Sequence, residues 1–153
     1  MKISDSFLRE IIRLSEELNL IHDLDAVLDK VLSEARRFTV SDAGSIFLKE
    51  GKALKFRYVQ NDTLFKGNDK NKFIYSNSEV PINHSSITGF VASTGKELII
   101  DDAYSLSDNL PYSFNRSFDK SSNYRTQSIL AVPLKLGGGR VVGVLQLINA
   151  KNE

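Results

Sequence analysis

The stretch from residue 112 to residue 128 holds the densest set of side chains suited to binding a small molecule. Asp119 can accept a hydrogen bond from an amino or hydroxyl group, and Ser122 and Thr126 can bond the edge of a ring. The aromatic residues able to cover a planar molecule are Tyr112, Phe114 and Phe118. The same stretch also suits a lid whose rings fill the edge of the core while Arg125 pairs with a surface acid. Spacing alone leaves both interpretations open.

Residue types that perform catalysis are scarce. The chain has no cysteine, which excludes disulfides, thiolate metal sites and a cysteine nucleophile. His22 and His84 stand at unrelated positions without a G-x-S-x-G elbow, which favours surface or capping roles and gives too few ligands for zinc. The glycine run 137–139 joins two apolar segments instead of opening a helix, so it predicts a turn and not a phosphate loop. We therefore predict a chain that is not an enzyme.

Two helical periodicities open the chain. Ser4 is positioned to cap a first helix whose apolar residues recur every three or four positions. These residues are Phe7, Ile11, Leu14 and Leu18. The stripe either docks on its own domain or pairs with the same helix of a second subunit as a short coiled coil, and both arrangements remain open. Asp23 is the expected N-cap of a second helix, whose apolar stripe runs to Phe38.

The remainder of the chain predicts an α+β fold. Predicted strands cover residues 43–50, 53–60, 79–82, 97–100, 127–136 and 140–149. A short helix through Ile87 is expected to end at Gly95. The polar segments 61–78 and 101–126 are too long for ordinary connections, which indicates binding loops or lids. The helices come first and antiparallel hairpins follow, which is typical of an α+β sandwich.

Length and charge set the class of protein. A chain of 153 residues with 41% hydrophobic side chains suits one domain. Lysine and arginine number 20 against 19 acidic residues, so the net charge of +1 offers no field that would attract nucleic acid or an anionic membrane. The N-terminal residues mix acidic with apolar side chains, unlike a signal peptide, and no apolar run approaches about 18 residues. We expect a cytoplasmic domain with no nucleic-acid partner and no direct membrane contact.

Three segments, in order along the chain, resemble the GAF domain family, particularly the GAF domains of cyclic-nucleotide phosphodiesterases and of bacterial cyclases and HD-type phosphodiesterases. The first two are similar to its second helix with the first strand and to its central helix, and the third to its pocket lid with the closing hairpin. The segments are HDLDAVLDKVLSEARRFTVSDAGSIFLKE (22–50), VPINHSSITGFVASTGKELIIDDAY (80–104) and FDKSSNYRTQSILAVPLKLGGGRVVGVLQLINA (118–150). The resemblance implies a GAF/PAS-like sandwich, an antiparallel sheet of five or six strands with helices on both faces.

The resemblance also implies a pocket between the sheet and the lid. In the cyclic-nucleotide-binding members the purine lies there, and Ser45 corresponds to a sheet serine that contacts the base. Ile87 and Thr88 correspond to the helix start whose backbone faces the phosphate, an arrangement that favours an anion. The implied ligand-binding residues are Ser45, Val59, Ile87, Thr88, Asp119, Ser122, Thr126 and Gln146.

Three positions depart from the family's pattern. Val59 stands where phosphodiesterase relatives stack a phenylalanine on the purine, and the nearby Phe56 and Tyr58 are expected on other faces. Gln146 replaces a glutamate found in one such relative, which changes the donor or acceptor offered to the nucleotide. Ala150 replaces the lysine of a signature that begins at Asn149, and we expect the family's C-terminal helix to lie outside this sequence.

Together these observations predict a small-molecule-binding sensory domain of a bacterial signal-transduction protein that controls an attached output domain. No cofactor or metal is predicted, and cAMP or cGMP is the candidate regulatory ligand. The alternative is a ligand-free dimerisation and signal-relay module. Residues 1–20 are predicted to form a signalling and dimerisation helix and residues 21–153 the GAF domain. A homodimer through Phe7, Ile11, Leu14 and Leu18 is expected.

Overall fold

A computed structural model of the chain describes residues 4–66 and 77–151. Its helices are α1 (Asp5–Asn19), α2 (Leu24–Thr39), α3 (Ile87–Thr94) and α4 (Ser117–Ser122). Its strands are β1 (Ser41–Glu50), β2 (Ala53–Asn61), β3 (Glu79–Pro81), β4 (Leu98–Ile100), β5 (Ile129–Lys135) and β6 (Val141–Ala150). Every predicted helix and strand is present. In addition, the structure has α4, a short helix within a segment predicted to be irregular.

The described strands form one antiparallel sheet in the order β3-β2-β1-β6-β5-β4. The hairpin β1–β2 belongs to one half of the sheet and the hairpin β5–β6 to the other half. The pairing of β1 with β6 joins the two halves edge to edge. The predicted antiparallel sheet with helices on both faces is therefore confirmed. Residues 67–76, which belong to the first predicted loop, lie outside the described residues.

Local signals in the sequence account for the ends of the main helices. The Ser4 hydroxyl accepts a hydrogen bond from the Phe7 N–H, and the Asp23 carboxylate accepts one from the Asp25 N–H. Gly95 ends α3 in the left-handed region at φ 67°, a conformation that costs glycine nothing. These caps match the positions that the sequence predicts.

The sheet separates two apolar clusters. On one face α2 packs through Leu32 against Ile46 and Leu147, a set we call the α2-side core. On the other face α3 packs through Val91 over a larger cluster that includes Phe47, the cavity-side core. Successive side chains of β1 point to opposite faces, so Ile46 lies in the α2-side core and Phe47 in the cavity-side core. The candidate site lies on the cavity side.

Helix α1 lies on α2. The ring of Phe7 meets the edge of Phe38 with centroids 5.5 Å apart, and an Arg37 nitrogen lies 2.6 Å from a Glu10 oxygen. The predicted stripe thus docks partly on its own domain, yet Phe7 and Ile11 stay 40% and 41% exposed. None of the described helices is long and apolar enough to cross a lipid bilayer.

The connection between β5 and β6 is the predicted glycine turn. Residues Gly137–Gly139 form a single 3-10 turn in which Gly138 and Gly139 both have φ near 79°. Such positive angles are readily adopted by glycine. The turn is surrounded by open space, since no atom outside the immediate chain lies within 4 Å of a side chain placed at any of these glycines.

Candidate functional site

A cavity lies between the inner face of the sheet and the lid formed by residues 112–126. It encloses about 810 Å³ of empty space when the open solvent at its mouth is counted. All eight residues predicted to bind a ligand line this one cavity. They are Ser45, Val59, Ile87, Thr88, Asp119, Ser122, Thr126 and Gln146. Their contact with a ligand stays a prediction.

The floor of the cavity is a row of three residues from three strands. Ser45 of β1 pairs with Val59 of β2 on one side and with Gln146 of β6 on the other. Residues that pair directly in a sheet point to the same face, so the three side chains form a continuous strip. The hydroxyl of Ser45 and the carboxamide of Gln146 make no hydrogen bond to any described residue, although Ser45 is only 6% exposed. These groups are available to a ligand.

One end of the cavity is the N-terminus of α3. The Ser86 hydroxyl caps the helix by accepting a hydrogen bond 3.0 Å long from the Gly89 N–H. The backbone N–H groups of Ile87 and Thr88 have no acceptor among the described residues, and both residues line the cavity. Unpaired N–H groups at a helix start, together with the helix dipole, favour an anion. This end therefore suits a negatively charged group.

Aromatic rings close the side of the cavity next to β2. The Phe56 ring lies 4.2 Å from that of Phe47 and 5.2 Å from that of Phe118 in the lid, measured between centroids. Phe56 faces the cavity because the pairing shifts by one residue between Ile46 and Phe47, leaving Arg57 as the extra residue of a β-bulge. The expectation that Phe56 lies on another face is wrong for this reason. Tyr58 does lie on the opposite face, against the α2-side core.

Asp119 is buried and joins α4 to the chain that follows it. One carboxylate oxygen accepts hydrogen bonds from the Tyr104 hydroxyl and the Thr126 N–H, and the other accepts one from the Thr126 hydroxyl, all at 2.7 Å. The hydrogen bond to Asp119 raises the pKa of Tyr104. A carboxylate has about four acceptor positions. Asp119 therefore keeps room for one further donor while it holds the lid.

Two of the predicted lid hydroxyls are also engaged within the protein. Ser122 donates to the Phe118 carbonyl at 2.7 Å, and Thr126 donates to Asp119. Each hydroxyl oxygen retains acceptor capacity toward the cavity. In a bound complex they would accept hydrogen bonds from a ligand and not donate them.

The other lid side chains divide between the cavity and its outer surface. Phe114 and Phe118 line the cavity, whereas Tyr112 packs on Phe90 with centroids 5.0 Å apart. The predicted contact of Tyr112 with a planar ligand is therefore not supported. The Arg125 guanidinium lies 4.2 Å from the centroid of Tyr104 and forms no ion pair with a described acid, contrary to the pairing considered above.

Several lining residues were not predicted. Besides Phe56, the cavity wall includes Gln60, Asn61, Asn115 and Tyr124. Tyr124 lies between α4 and β5, in a segment without regular secondary structure, so no periodic pattern in the sequence identifies it. Among the described residues, no group of three or more histidine, cysteine, aspartate or glutamate side chains is positioned to hold a metal ion.

Curated proteins similar to this chain include two animal enzymes. A probable 3',5'-cyclic phosphodiesterase, pde-5, of Caenorhabditis elegans is 31% identical over 137 residues, covering 86% of this chain and 18% of that protein. The cGMP-specific 3',5'-cyclic phosphodiesterase of Drosophila melanogaster is 30% identical over 135 residues, covering 85% of this chain and 12% of that protein. The chain thus spans less than a fifth of the length of either relative.

Solved structures and family models agree on the fold. The GAF domain of a phosphoenolpyruvate-protein phosphotransferase from Coxiella burnetii superposes with a TM-score of 0.73 at 15% identity, covering 97% of this chain and 81% of that one. The family model described as GAF domain matches residues 23–153. This chain therefore belongs to the GAF domain family, the small-molecule-binding regulatory domains of signalling proteins.

Proposed function

We propose that the cavity binds a cyclic nucleotide and that its occupation regulates an output domain attached to this one. The observation that carries the proposal is that one cavity combines a helix start with unpaired N–H groups and unpaired polar groups on its floor. Relatives named as cyclic-nucleotide phosphodiesterases, matching this chain over most of its length, support the same ligand class.

The proposed ligand has its phosphate at the start of α3 and its base over the sheet. The N–H groups of Ile87 and Thr88 would bind one phosphate oxygen each or share one. The base would lie across the strip of Ser45 and Gln146, with Phe118 covering its edge. An aromatic ring at Phe56 supplies the apolar contact that Val59 alone lacks.

The side chain of Gln146 is the group that would select between the adenine and the guanine base. A carboxamide offers both a donor and an acceptor, so it can form hydrogen bonds to the edge of adenine or of guanine. A glutamate would offer acceptors only and would favour the N–H groups of guanine. We therefore propose cAMP and cGMP as equal candidates for this chain.

Replacing Ser45 by alanine tests the site. Its hydroxyl has no hydrogen-bond partner among the described residues, so the free energy of unfolding should change by less than about 0.5 kcal/mol. One lost hydrogen bond to the ligand, about 1 kcal/mol, should weaken binding roughly fivefold. Isothermal titration of the preferred cyclic nucleotide into Ser45→Ala gives the affinity, and Ser121→Ala, an exposed serine of α4, is the matched control.

Thermal unfolding with cAMP, cGMP and the corresponding 5'-monophosphates tests the ligand class directly. A cyclic nucleotide at 100 times its Kd should stabilise the protein by about 2.7 kcal/mol. If neither cyclic nucleotide raises the unfolding temperature at millimolar concentration, the proposed ligand is wrong. Equal stabilisation by the 5'-monophosphates would also count against it.

We also propose that the domain forms a homodimer through Phe7, Ile11, Leu14 and Leu18 of α1, with residues 1–20 acting as the signalling helix and residues 21–153 as the ligand-binding unit. Support comes from the apolar surface of α1, where Leu8 and Ile12, 47% and 59% exposed, extend the stripe. This surface also favours a second candidate function, a ligand-free dimerisation and relay module. A bacterial origin and a cytoplasmic location remain predictions from the sequence.

A further inference from the structure

Asp42, at the start of β1, lies outside the cavity wall and is 7% exposed. Its carboxylate is shared by three segments that are far apart in the sequence. One oxygen accepts hydrogen bonds from the Thr63 hydroxyl at 2.8 Å and the Tyr124 hydroxyl at 2.9 Å. The other lies 3.0 Å from the ammonium nitrogen of Lys151. A buried carboxylate with three donors fixes all three segments relative to β1.

Each partner of Asp42 belongs to a different functional part. Thr63 lies in the turn after β2, and its N–H donates to the Asn61 side chain, which lines the cavity. Tyr124 belongs to the lid, close to its end, and lines the cavity. Lys151 is the first residue after β6. The carboxylate therefore joins the turn and the lid beside the cavity to the chain that leaves the sheet.

Asn149 adds a second connection between the lid and the end of β6. Its side-chain nitrogen donates to the Tyr124 hydroxyl at 3.0 Å and to the Arg125 carbonyl at 2.8 Å, and its oxygen accepts the Gln127 N–H at 2.7 Å. Its backbone has φ 56°, an angle that few residues other than glycine and asparagine adopt. The end of β6 is thus held in the position that these bonds require.

We propose that Asp42 is a positioning residue that couples the lid over the cavity to the chain leaving β6. A ligand that moves the Tyr124 ring moves the hydroxyl shared by Asp42 and Asn149, so the hold on residues 149–151 changes with it. The role of the ligand rests on the proposed function, whereas the coupling is a property of the free protein. By linkage, a change at residues 149–151 alters ligand affinity to the same extent.

Hydrogen exchange in the ligand-free protein tests the coupling. The Gln127 N–H, bonded to Asn149, reports on the lid, and the Lys151 N–H, bonded to the Val40 carbonyl at 2.9 Å, reports on the chain after β6. Both Asp42→Asn and Tyr124→Phe should accelerate exchange about tenfold at both amides, because each variant removes a partly buried hydrogen bond. Tyr124→Phe keeps the test available if Asp42→Asn does not fold.

Tyr112→Phe is the matched control, since it removes a hydroxyl from the same loop while the ring stays on Phe90. It should leave exchange at both amides unchanged. Acceleration at Gln127 without acceleration at Lys151, in either variant, would overturn the coupling. Unchanged exchange at both amides in Tyr124→Phe would overturn it as well.

Ligand kinetics separate positioning from simple loss of structure. With cGMP or cAMP, whichever binds, Asp42→Asn should raise the dissociation rate about tenfold and leave the association rate within twofold, because the lid closes less firmly on a ligand that enters as before. Equal falls in association and in the fraction of folded protein would indicate a structural role and overturn the proposal. If neither nucleotide binds, the proposed function fails, and the exchange comparison still decides the coupling.

Discussion

The polar side chains around the cavity differ in whether the protein already satisfies them. Asp119 and Thr126 are bonded to each other, so their burial stabilises the closed lid. Ser45 and Gln146 face the cavity without a partner among the described residues. Unpaired polar groups cost free energy in a folded protein unless water or a ligand satisfies them. The second pair is therefore where affinity for a ligand should originate.

The titration of Asp42 gives a prediction for the pH dependence of stability. Burial alone would raise the pKa of Asp42, but the bonds from Lys151, Thr63 and Tyr124 outweigh it and the pKa is lowered overall. A carboxyl group whose pKa is lower in the folded state than in the unfolded state stabilises the fold at pH values above its unfolded-state pKa, about 3.9. That contribution to stability is lost as the pH falls through the pKa of Asp42 in the folded state.

The free energy of unfolding of the wild-type protein should therefore exceed that of Asp42→Asn by a constant amount above about pH 5, and the gap should narrow below about pH 4. Urea unfolding at a series of pH values measures it. Gly137→Ala, which removes no ionisable group, provides the baseline. A gap that stays constant down to about pH 3 would contradict the lowered pKa.

Among single residues, the sequence predicts the polar residues of the site and two of its rings, Phe114 and Phe118, but not the ring of Phe56. The eight residues implied by resemblance meet in one cavity because strict alternation along β1 and β6 carries Ser45 and Gln146 to the same face. Phe56 was missed because the bulge at Arg57 changes the alternation of β2. The bulge arises from the pairing of β2 with β1, and no residue type in β2 predicts it.

Among the elements, α3 depends on a close approach to the chain before it. A side-chain carbon at Gly89 would overlap the Pro81 carbonyl oxygen and lie 2.7 Å from the Asn83 carbonyl oxygen. Both obstacles are backbone atoms, which cannot rotate away as a flexible side chain would. The absence of a side chain at Gly89 therefore sets the distance between α3 and β3 and, with it, the position of the unpaired N–H groups at the start of α3.

Gly89→Ala should destabilise the domain by about 1–3 kcal/mol, since overpacking outweighs the gain of about 1 kcal/mol in helix propensity. The shifted helix should also weaken nucleotide binding. Gly137→Ala, a glycine with open space around it, should change stability by less than about 0.5 kcal/mol. Denaturant unfolding of both variants measures the difference. Equal stabilities would mean that α3 moves freely and would remove this constraint on the site.

The helix α4 is the element that local sequence signals do not predict. Its sequence, SFDKSS, is six residues long and poor in strong helix formers, and no side chain caps its start. Tertiary bonds stabilise it instead, chiefly those that Asp119 receives from Tyr104 and Thr126. Local propensity carries no information about partners that lie 7 and 15 residues away, so the segment was predicted to be irregular.

In the whole molecule, α1 is held at the outside by few contacts and keeps an apolar surface. Its bonds to α2 are ion pairs at exposed positions, such as Lys30 with Glu17, which stabilise weakly. The side chains of α1 all keep part of their surface exposed. A helix with this balance gains stability when a second copy covers its apolar side.

Ile11→Asp should therefore dissociate the proposed dimer. Two copies of an isoleucine contact, at about 1.5 kcal/mol or more each, amount to on the order of 100-fold in the dimerisation constant. Ile99→Asp is the matched control, because Ile99 is 77% exposed and belongs to β4 and not to α1. Sedimentation equilibrium measures both. A concentration of 100 µM is on the order of ordinary dimer dissociation constants. A wild-type protein that is still monomeric at this concentration would contradict the dimer.

The open glycine turn between β5 and β6 also makes this domain a scaffold for a biosensor. Exposed tips with small residues tolerate insertions, and Gly137–Gly139 has free space on every side. Both strands that lead from this turn run directly to the lid and to Asn149 at their far ends. A circularly permuted fluorescent protein spliced into the turn would thus be attached to β6, which lines the cavity at Gln146 and Ile148, and to β5, which follows the lid.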